Sequence, residues 1–295
     1  MEARFPGYRL LPYVLILPSI AVIIVFLVVP FAMAVQQSFY RTSPFGTTTL
    51  FVGLDNYAQL FSAPEYVQSL LTTLAFAALV IGGGLALSLA IAILVTRKIR
   101  GVGFYQVAFI WTYALSPAVA GIIWALLFDP SVGLGTYLIE QLTGYRINMR
   151  VSGTPALLIA SAAAVWNMLG YNICFYIAGL QNVPKEFEEA ARVDGASPWR
   201  TFWRITFPML SPTTAFLLFT NTIYAFFQVF GLIDILTQGG PGGATEILVY
   251  KLYRDGFIRL RVNYAAAQSV LLFLMVAAMA LFQLRVTTRR AEYSR

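Results

Sequence analysis

Six stretches of this chain contain no Asp, Glu, Lys or Arg: residues 10–40, 66–96, 101–128, 151–184, 205–233 and 262–284. The shortest of them is longer than the ~20 apolar residues that carry a helix across the hydrocarbon core. A charged side chain at mid-membrane costs about 3 kcal/mol, so six charge-free windows predict six crossings. Transmembrane barrels would need ~10-residue segments of alternating character, whereas these windows are continuous apolar runs such as Ile20–Pro30 and Ala75–Val95. The expected fold class is all-α: a polytopic membrane protein of six transmembrane helices, residues 1–295 forming a single transmembrane domain. The predicted spans are approximately 12–38, 69–96, 105–128, 155–180, 208–232 and 264–285, with a long loop at 181–207. Composition agrees, since 11% of residues are charged against about 25% in soluble domains.

Basic residues set the orientation. With both termini cytoplasmic, the inner segments hold Arg4 and Arg9; Arg97, Lys98 and Arg100; Lys185, Arg192, Arg200 and Arg204; and Arg285, Arg289, Arg290 and Arg295. The outer loops hold Arg41, Arg146, Arg150, Lys251, Arg254, Arg259 and Arg261. The same bias accounts for the net charge of +7 without nucleic acid as a partner. Ala32-Met33-Ala34 resembles a signal-cleavage site, but the apolar run exceeds the 7–15 residues of a signal core, so a retained span is expected. With one cysteine, Cys174, and no histidine, no internal disulfide and no zinc or haem site is expected. No Gly-rich phosphate loop ending in Lys-Ser or Lys-Thr is present, so ATP is not bound here by that device. Gly82-Gly83-Gly84, inside the second span, reads as close packing or a kink.

The loop 181–207 carries the most informative pattern. Pro184 suits a first helical turn, and Glu186, Glu188 and Glu189 fall near the positive end of the helix dipole. Phe187, Ala190 and Ala191 are spaced to form one small apolar face. Gly195 suits a helix C-terminus, and Ser197-Pro198 a cap followed by a first helical proline. The expected product is two short helices joined by a sharp turn on the cytoplasmic face. A lipid-resting amphipathic helix is the alternative, but three glutamates would be repelled by anionic headgroups.

Glu189-Ala190-Ala191, Gly195, then Ile205-x-Phe207-Pro208 resembles the Glu-Ala-Ala loop of permease subunits of binding-protein-dependent ABC importers, with Phe207 in place of the usual leucine. That resemblance implies the type I ABC importer permease fold and a coupling helix gripped by a separate ATPase. Glu189, Ala190, Ala191, Asp194, Gly195, Ile205 and Pro208 would be the coupling residues. It also implies a second permease subunit, an ATPase dimer that binds ATP and Mg, an extracytoplasmic solute-binding protein, and residence in a bacterial inner membrane. The chain itself would be a transport subunit and not an enzyme, with no cofactor of its own.

Phe51-Val-Gly-Leu-Asp-Asn-Tyr57, Gly239-Gly-Pro-Gly-Gly-Ala-Thr-Glu246 and Tyr250-Lys-Leu-Tyr-Arg-Asp-Gly-Phe257 are similar to the carbohydrate-type permeases of that family. Within it, the run Tyr224–Asp234 most resembles permeases of glycerol-3-phosphate importers. The spans hold no Lys or Arg for a phosphate, so either backbone N–H groups, hydroxyls and the partner subunit meet it, or the solute is a neutral sugar or polyol. Asn167, Tyr171, Asn172, Asn221, Tyr224 and Gln228 are candidate path residues, with interhelical bonding as their other reading. Gly239, Gly240, Pro241, Gly242 and Gly243 are expected to form a flexible loop that contacts the binding protein. An ion-coupled secondary transporter would call for embedded charges, which the windows lack.

Overall fold

The computed structural model describes residues 11–43, 48–96 and 111–292, which form two compact units. The first comprises the chain up to Ala63 together with Leu252–Leu272; the second comprises Pro64–Lys251 and the chain from Phe273. The basic cluster Arg97, Lys98 and Arg100 lies outside the described residues, as do Arg4 and Arg9.

The first unit opens with α1 (Pro12–Ser38), 27 residues of mean hydropathy 3.0 with none of that apolar window buried within the protein. At Ile24–Val28 its ladder widens, and the Val29 N–H bonds Ile24 O, five residues back. Pro30 supplies the reason: it has no N–H to donate and its ring crowds the carbonyl four residues earlier, so the turn ahead of it opens. The same widening at Phe202–Thr206 precedes Pro208. After α1 come the antiparallel β1 (Tyr40–Thr42) and β2 (Thr49–Phe51), with Tyr40 opposite Phe51, then α2 (Asp55–Ser62).

The Phe51–Tyr57 motif is the clasp of this unit. Gly53 takes φ +56°, a left-handed turn that suits glycine. Asp55 opens α2 and pairs with Arg41 at 2.6 Å. The buried Asn56 amide donates to the carbonyls of Ser38 and Tyr40, both at 2.8 Å, and Tyr57 and Ser38 share a hydroxyl bond of 2.7 Å. Asn263 completes the clasp by accepting from the Thr42 hydroxyl at 2.6 Å and donating to Gln37 O at 3.1 Å.

The second unit contains α3 (Pro64–Thr96), α4 (Pro117–Leu127), α5 (Leu134–Thr143), α6 (Gly153–Gln181), α7 (Lys185–Val193) and α8 (Pro198–Thr201), which runs on through the wide turn to Met209. There follow α9 (Ser211–Ile223), a wide turn at Tyr224–Gln228, α10 (Phe230–Leu236), α11 (Leu248–Tyr253) and α12 (Val262–Glu292), the last two crossing the boundary between units. The most extensive helix pair is α3 with α6. Ala92 and Val95 meet Ile173, Tyr176 and Ile177 there, joined by Leu217 of α9. α3 runs through the glycine triplet as one helix of 33 residues. Gly84 is the packing position, since a Cβ there would lie 3.7 Å from the Asn172 side chain and 3.8 Å from that of Asn221. α4 lies against α10 through Gly121 and Gly231; a Cβ on Gly121 would sit 3.1 Å from Leu232 O.

Two predicted spans are corrected. Among the described residues there are four long apolar helices, Pro12–Ser38, Pro64–Thr96, Gly153–Gln181 and Val262–Val286, plus the pair Ser211–Gln228 and Phe230–Leu236, bent by 47°. The span expected at 208–232 is therefore broken at Val229, after a wide turn whose last bond runs from Val229 N–H to Tyr224 O. The span expected at 105–128 begins outside the described residues, and its described part is not one helix. The helical turn at residues 111–114 stops before Ser116, which takes extended backbone (ψ 150°) and caps α4 from Val119 N–H at 3.3 Å. A residue before proline is pushed out of helical backbone, so Pro117 sets that break. Hydropathy reports composition and does not report where the helical ladder is interrupted.

Candidate functional site

The loop 181–207 folds as two short helices. Pro184 is the residue before α7, with extended backbone, one position earlier than expected. At the other end Gly195 takes φ +74°. The Gly195 N–H bonds Arg192 O at 3.1 Å and the Ala196 N–H bonds Ala191 O at 2.9 Å, the paired bonds of a Schellman stop. Ser197 Oγ then accepts from the Arg200 N–H at 3.3 Å to start α8, as its sequence implies.

Burial divides α7 into two sides. Ala191 is buried and Glu188 accepts from the Thr206 hydroxyl at 3.3 Å, which holds α7 to the wide turn after α8. Phe187, Glu189, Ala190, Arg192, Val193, Asp194 and Gly195 are exposed, as is Pro208, and Ile205 is half-buried. The apolar face is thus corrected. Ala191 is buried, while Phe187, Ala190 and Val193 are exposed; Phe187 and Ala191 stand only about 40° apart around the helix, so what packs against α7, and not residue spacing, divides the set.

The six path candidates separate into two groups. Asn172 and Asn221 exchange amide bonds of 3.0 and 2.8 Å between α6 and α9, and Asn221 also donates to Leu217 O at 2.8 Å. Asn167 donates to the carbonyls of Thr112 and Leu115, both at 3.1 Å, and accepts from the Tyr224 hydroxyl at 3.1 Å. These four are buried and hold helices together. Tyr171 is half-buried in a ring ladder, 4.8 Å from Tyr113 and 4.7 Å from Phe175, and Gln228 is exposed. Only these two present polar surface from the set.

The segment Gly239–Gly243, expected as a flexible loop, folds as a turn with its own hydrogen bonds. Gly239, Gly242 and Gly243 all have positive φ, and a Cβ on Gly239 would lie 2.8 Å from the Tyr250 ring. Buried Thr245 staples the turn: its Oγ1 lies 2.7 Å from both Thr237 Oγ1 and Gly240 O.

Beyond this turn sit charges whose burial the sequence did not announce. Lys251 is 1% exposed with its ammonium 3.9 Å from buried Glu246. In the first unit, fully buried Asp255 accepts from Arg259 at 2.8 Å and from Gln268 at 2.7 Å, and Arg261 lies 4.0 Å over the Tyr264 ring. The four-residue spacing of Asp255 and Arg259 was the available signal. A second polar turn holds Asp129 between α4 and α5, where the N–H groups of Ser131 and Val132 and the Arg150 guanidinium keep its carboxyl below the ordinary range.

With this geometry in place, likeness to other proteins defines the class and then the family. The fold is shared with a chain of a bacterial ABC transporter involved in import of the acidic polysaccharide alginate, at TM-score 0.81 and 21% identity over 96% of this chain and 97% of that one. A chain of a bacterial alginate ABC transporter in complex with an alginate pentasaccharide-bound periplasmic protein gives TM-score 0.81, at 21% identity and 96% coverage of each chain. Residues 148–290 match the family described as binding-protein-dependent transport system inner membrane component. The full chain is 43% identical to the sn-glycerol-3-phosphate transport system permease protein UgpA of Agrobacterium fabrum over 98% of each chain. It is 42% identical to UgpA of Rhizobium meliloti, again over 98% of each, and 43% identical to UgpA of Yersinia pestis over 99% of this chain and all of that one. The chain belongs to the family of binding-protein-dependent transport inner membrane components, and it is a multi-pass inner-membrane protein.

Proposed function

We propose that this chain is one permease half of an ATP-driven importer and forms half of the path for sn-glycerol-3-phosphate or a related glycerophosphodiester. The exposed α7–Gly195–α8 unit carries the reading. It presents Phe187, Glu189, Ala190 and Val193 outward on a short helix fixed from behind by Ala191 and Glu188, which suits a lever that a separate subunit grips. The rigid stop at Gly195 transmits a push on α7 into α8 and the bent span that follows. The permease names of the relatives support the solute.

In this reading both termini are cytoplasmic and six segments cross the membrane, the third of them interrupted before Pro117. Glu189, Ala190, Asp194 and Gly195 face the ATPase; Ala191, Ile205 and Pro208 shape the loop behind them. An ATPase dimer binds ATP and Mg and supplies the power stroke. A second permease completes the path, and a binding protein delivers solute from outside, where the braced turn Gly239–Gly243 offers a fixed contact. Tyr171 and Gln228 are the solute contacts left by the interhelical bonding of Asn167, Asn172, Asn221 and Tyr224.

A neutral sugar or polyol is the second reading, favoured by spans whose polar groups are amides and hydroxyls. Proteoliposomes holding the complex decide between them. Uptake of labelled sn-glycerol-3-phosphate that requires its binding protein and ATP is the expected result. Uptake of a disaccharide in its place overturns the solute, and a chain that never co-purifies with an ATPase overturns the class.

A further inference from the structure

Pro198–Met209 contains Arg200 and Arg204 and no carboxylate. Its inward side carries the buried Thr201 and Thr206. The outward side carries a contiguous set of rings. Trp199 and Trp203 meet edge to face with centroids 5.6 Å apart, and Trp203 lies 5.1 Å from Phe202 and 5.0 Å from Phe207. Trp199 is 72% exposed and Trp203 46%, and both arginines are exposed beside them. Two exposed indoles joined to further rings and edged by cations mark a candidate interaction surface.

Three observations select its occupant. The segment leads within two residues into the apolar helix Ser211–Gln228, so it sits where a crossing begins, the level at which indoles concentrate. Its charge is purely basic, complementary to anionic headgroups. The preceding α7, by contrast, carries Glu186, Glu188 and Glu189 against Lys185 and Arg192, so it is net acidic and an anionic surface disfavours it. The two helices therefore divide the loop by charge, one suited to a protein partner and the other to lipid.

We propose that Pro198–Met209 is a binding site for anionic phospholipid, with Trp199 and Trp203 seated at headgroup level and the Arg200 and Arg204 guanidiniums on the lipid phosphate. The site anchors the lever's second helix to the membrane so that α7 moves against a fixed base. It rests on the membrane placement of the adjoining helix and on neither the solute nor the identity of the ATPase.

The test uses the full chain in detergent, titrated with brominated phosphatidylglycerol or brominated phosphatidylcholine while tryptophan fluorescence is read. Phosphatidylglycerol is expected to quench at lower concentration, and that preference disappears in Trp199→Phe/Trp203→Phe, which leaves Trp111, Trp124 and Trp166 as the remaining indoles. Arg200→Gln/Arg204→Gln is expected to weaken the apparent phosphatidylglycerol affinity ~30-fold, from the usual attraction per basic residue, with phosphatidylcholine unchanged. Arg200→Lys/Arg204→Lys keeps most of the preference and confirms that the fold tolerates change there. Equal quenching of the unmodified chain by both lipids overturns the proposal, as does a preference that survives in the glutamine variant. A glutamine variant that keeps the lipid preference but sheds the ATPase assigns the arginines to a protein contact, and the lipid site falls.

Discussion

Replacing Gly195 isolates the turn between α7 and α8 from every other feature of the loop. Its φ is +74°, and a Cβ there would meet nothing within 4 Å. Alanine therefore introduces no clash, and its whole cost is the left-handed backbone, ~1–2 kcal/mol for an ordinary residue. Asparagine visits that region more readily and should cost less. A change of ~1–2 kcal/mol shifts the balance between closed and opened turn about 5- to 30-fold. The bonds at risk are Gly195 N–H to Arg192 O and Ala196 N–H to Ala191 O. Amide hydrogen exchange at Ala196 should accelerate by that factor in Gly195→Ala and by less in Gly195→Asn. Global stability should barely change, because α7 is mostly exposed. In proteoliposomes, solute taken up per ATP hydrolysed should fall in the same order, glycine above asparagine above alanine. An alanine variant with native exchange and native coupling would refute the reasoning, and so would an asparagine variant worse than alanine.

Three further outcomes are expected. Gly121→Val should destabilise the α4–α10 contact by about 1–3 kcal/mol through overpacking, because its Cβ would stand 3.1 Å from Leu232 O and 3.2 Å from the Ile235 Cβ; thermal unfolding in detergent reads this, and Gly82→Ala, with nothing within 4 Å of its Cβ, is the silent control. Asn172→Leu and Asn221→Leu should each cost about 1–2 kcal/mol, with the double variant costing less than the sum because each single change strands the other amide; strict additivity in a double-mutant cycle would deny the coupling. The lowered Asp129 carboxyl contributes stability to its turn fully above the ordinary value of ~3.9, and that contribution is lost as pH falls through the depressed value; proteolytic nicking near residues 129–133 that rises at pH 6 would contradict the sign.

Much of the loop was legible because its signals are local. Gly195 and Ser197-Pro198 each act on their own backbone, so turn and cap can be read from the chain. The face of α7 was not legible, since Ala190 and Ala191 are identical in sequence and only their neighbours bury one of them. Likewise Asn167, Asn172, Asn221 and Tyr224 declare polar groups in apolar helices, yet the sequence leaves open whether they meet a solute or one another. Bonds between residues about 50 positions apart decide that, as in the 49-residue separation of Asn172 and Asn221.

The sequence by itself determined that this chain lives in a bilayer, that it is helical, and that a charged loop with a glycine stop interrupts it before the fifth apolar window. Charge costs, helix length and turn chemistry act within a few residues, so no partner element is needed to read them. Tertiary structure alone decided that Lys251 and Glu246 are buried together, that Asp255 takes Gln268 as well as Arg259, that the glycine-rich turn is braced by Thr245, and that the fifth span bends at Val229. Each depends on which distant groups share a dry space, where a charge must find a partner or a helix must yield to its neighbours. Such partners are fixed by packing and not by order along the chain.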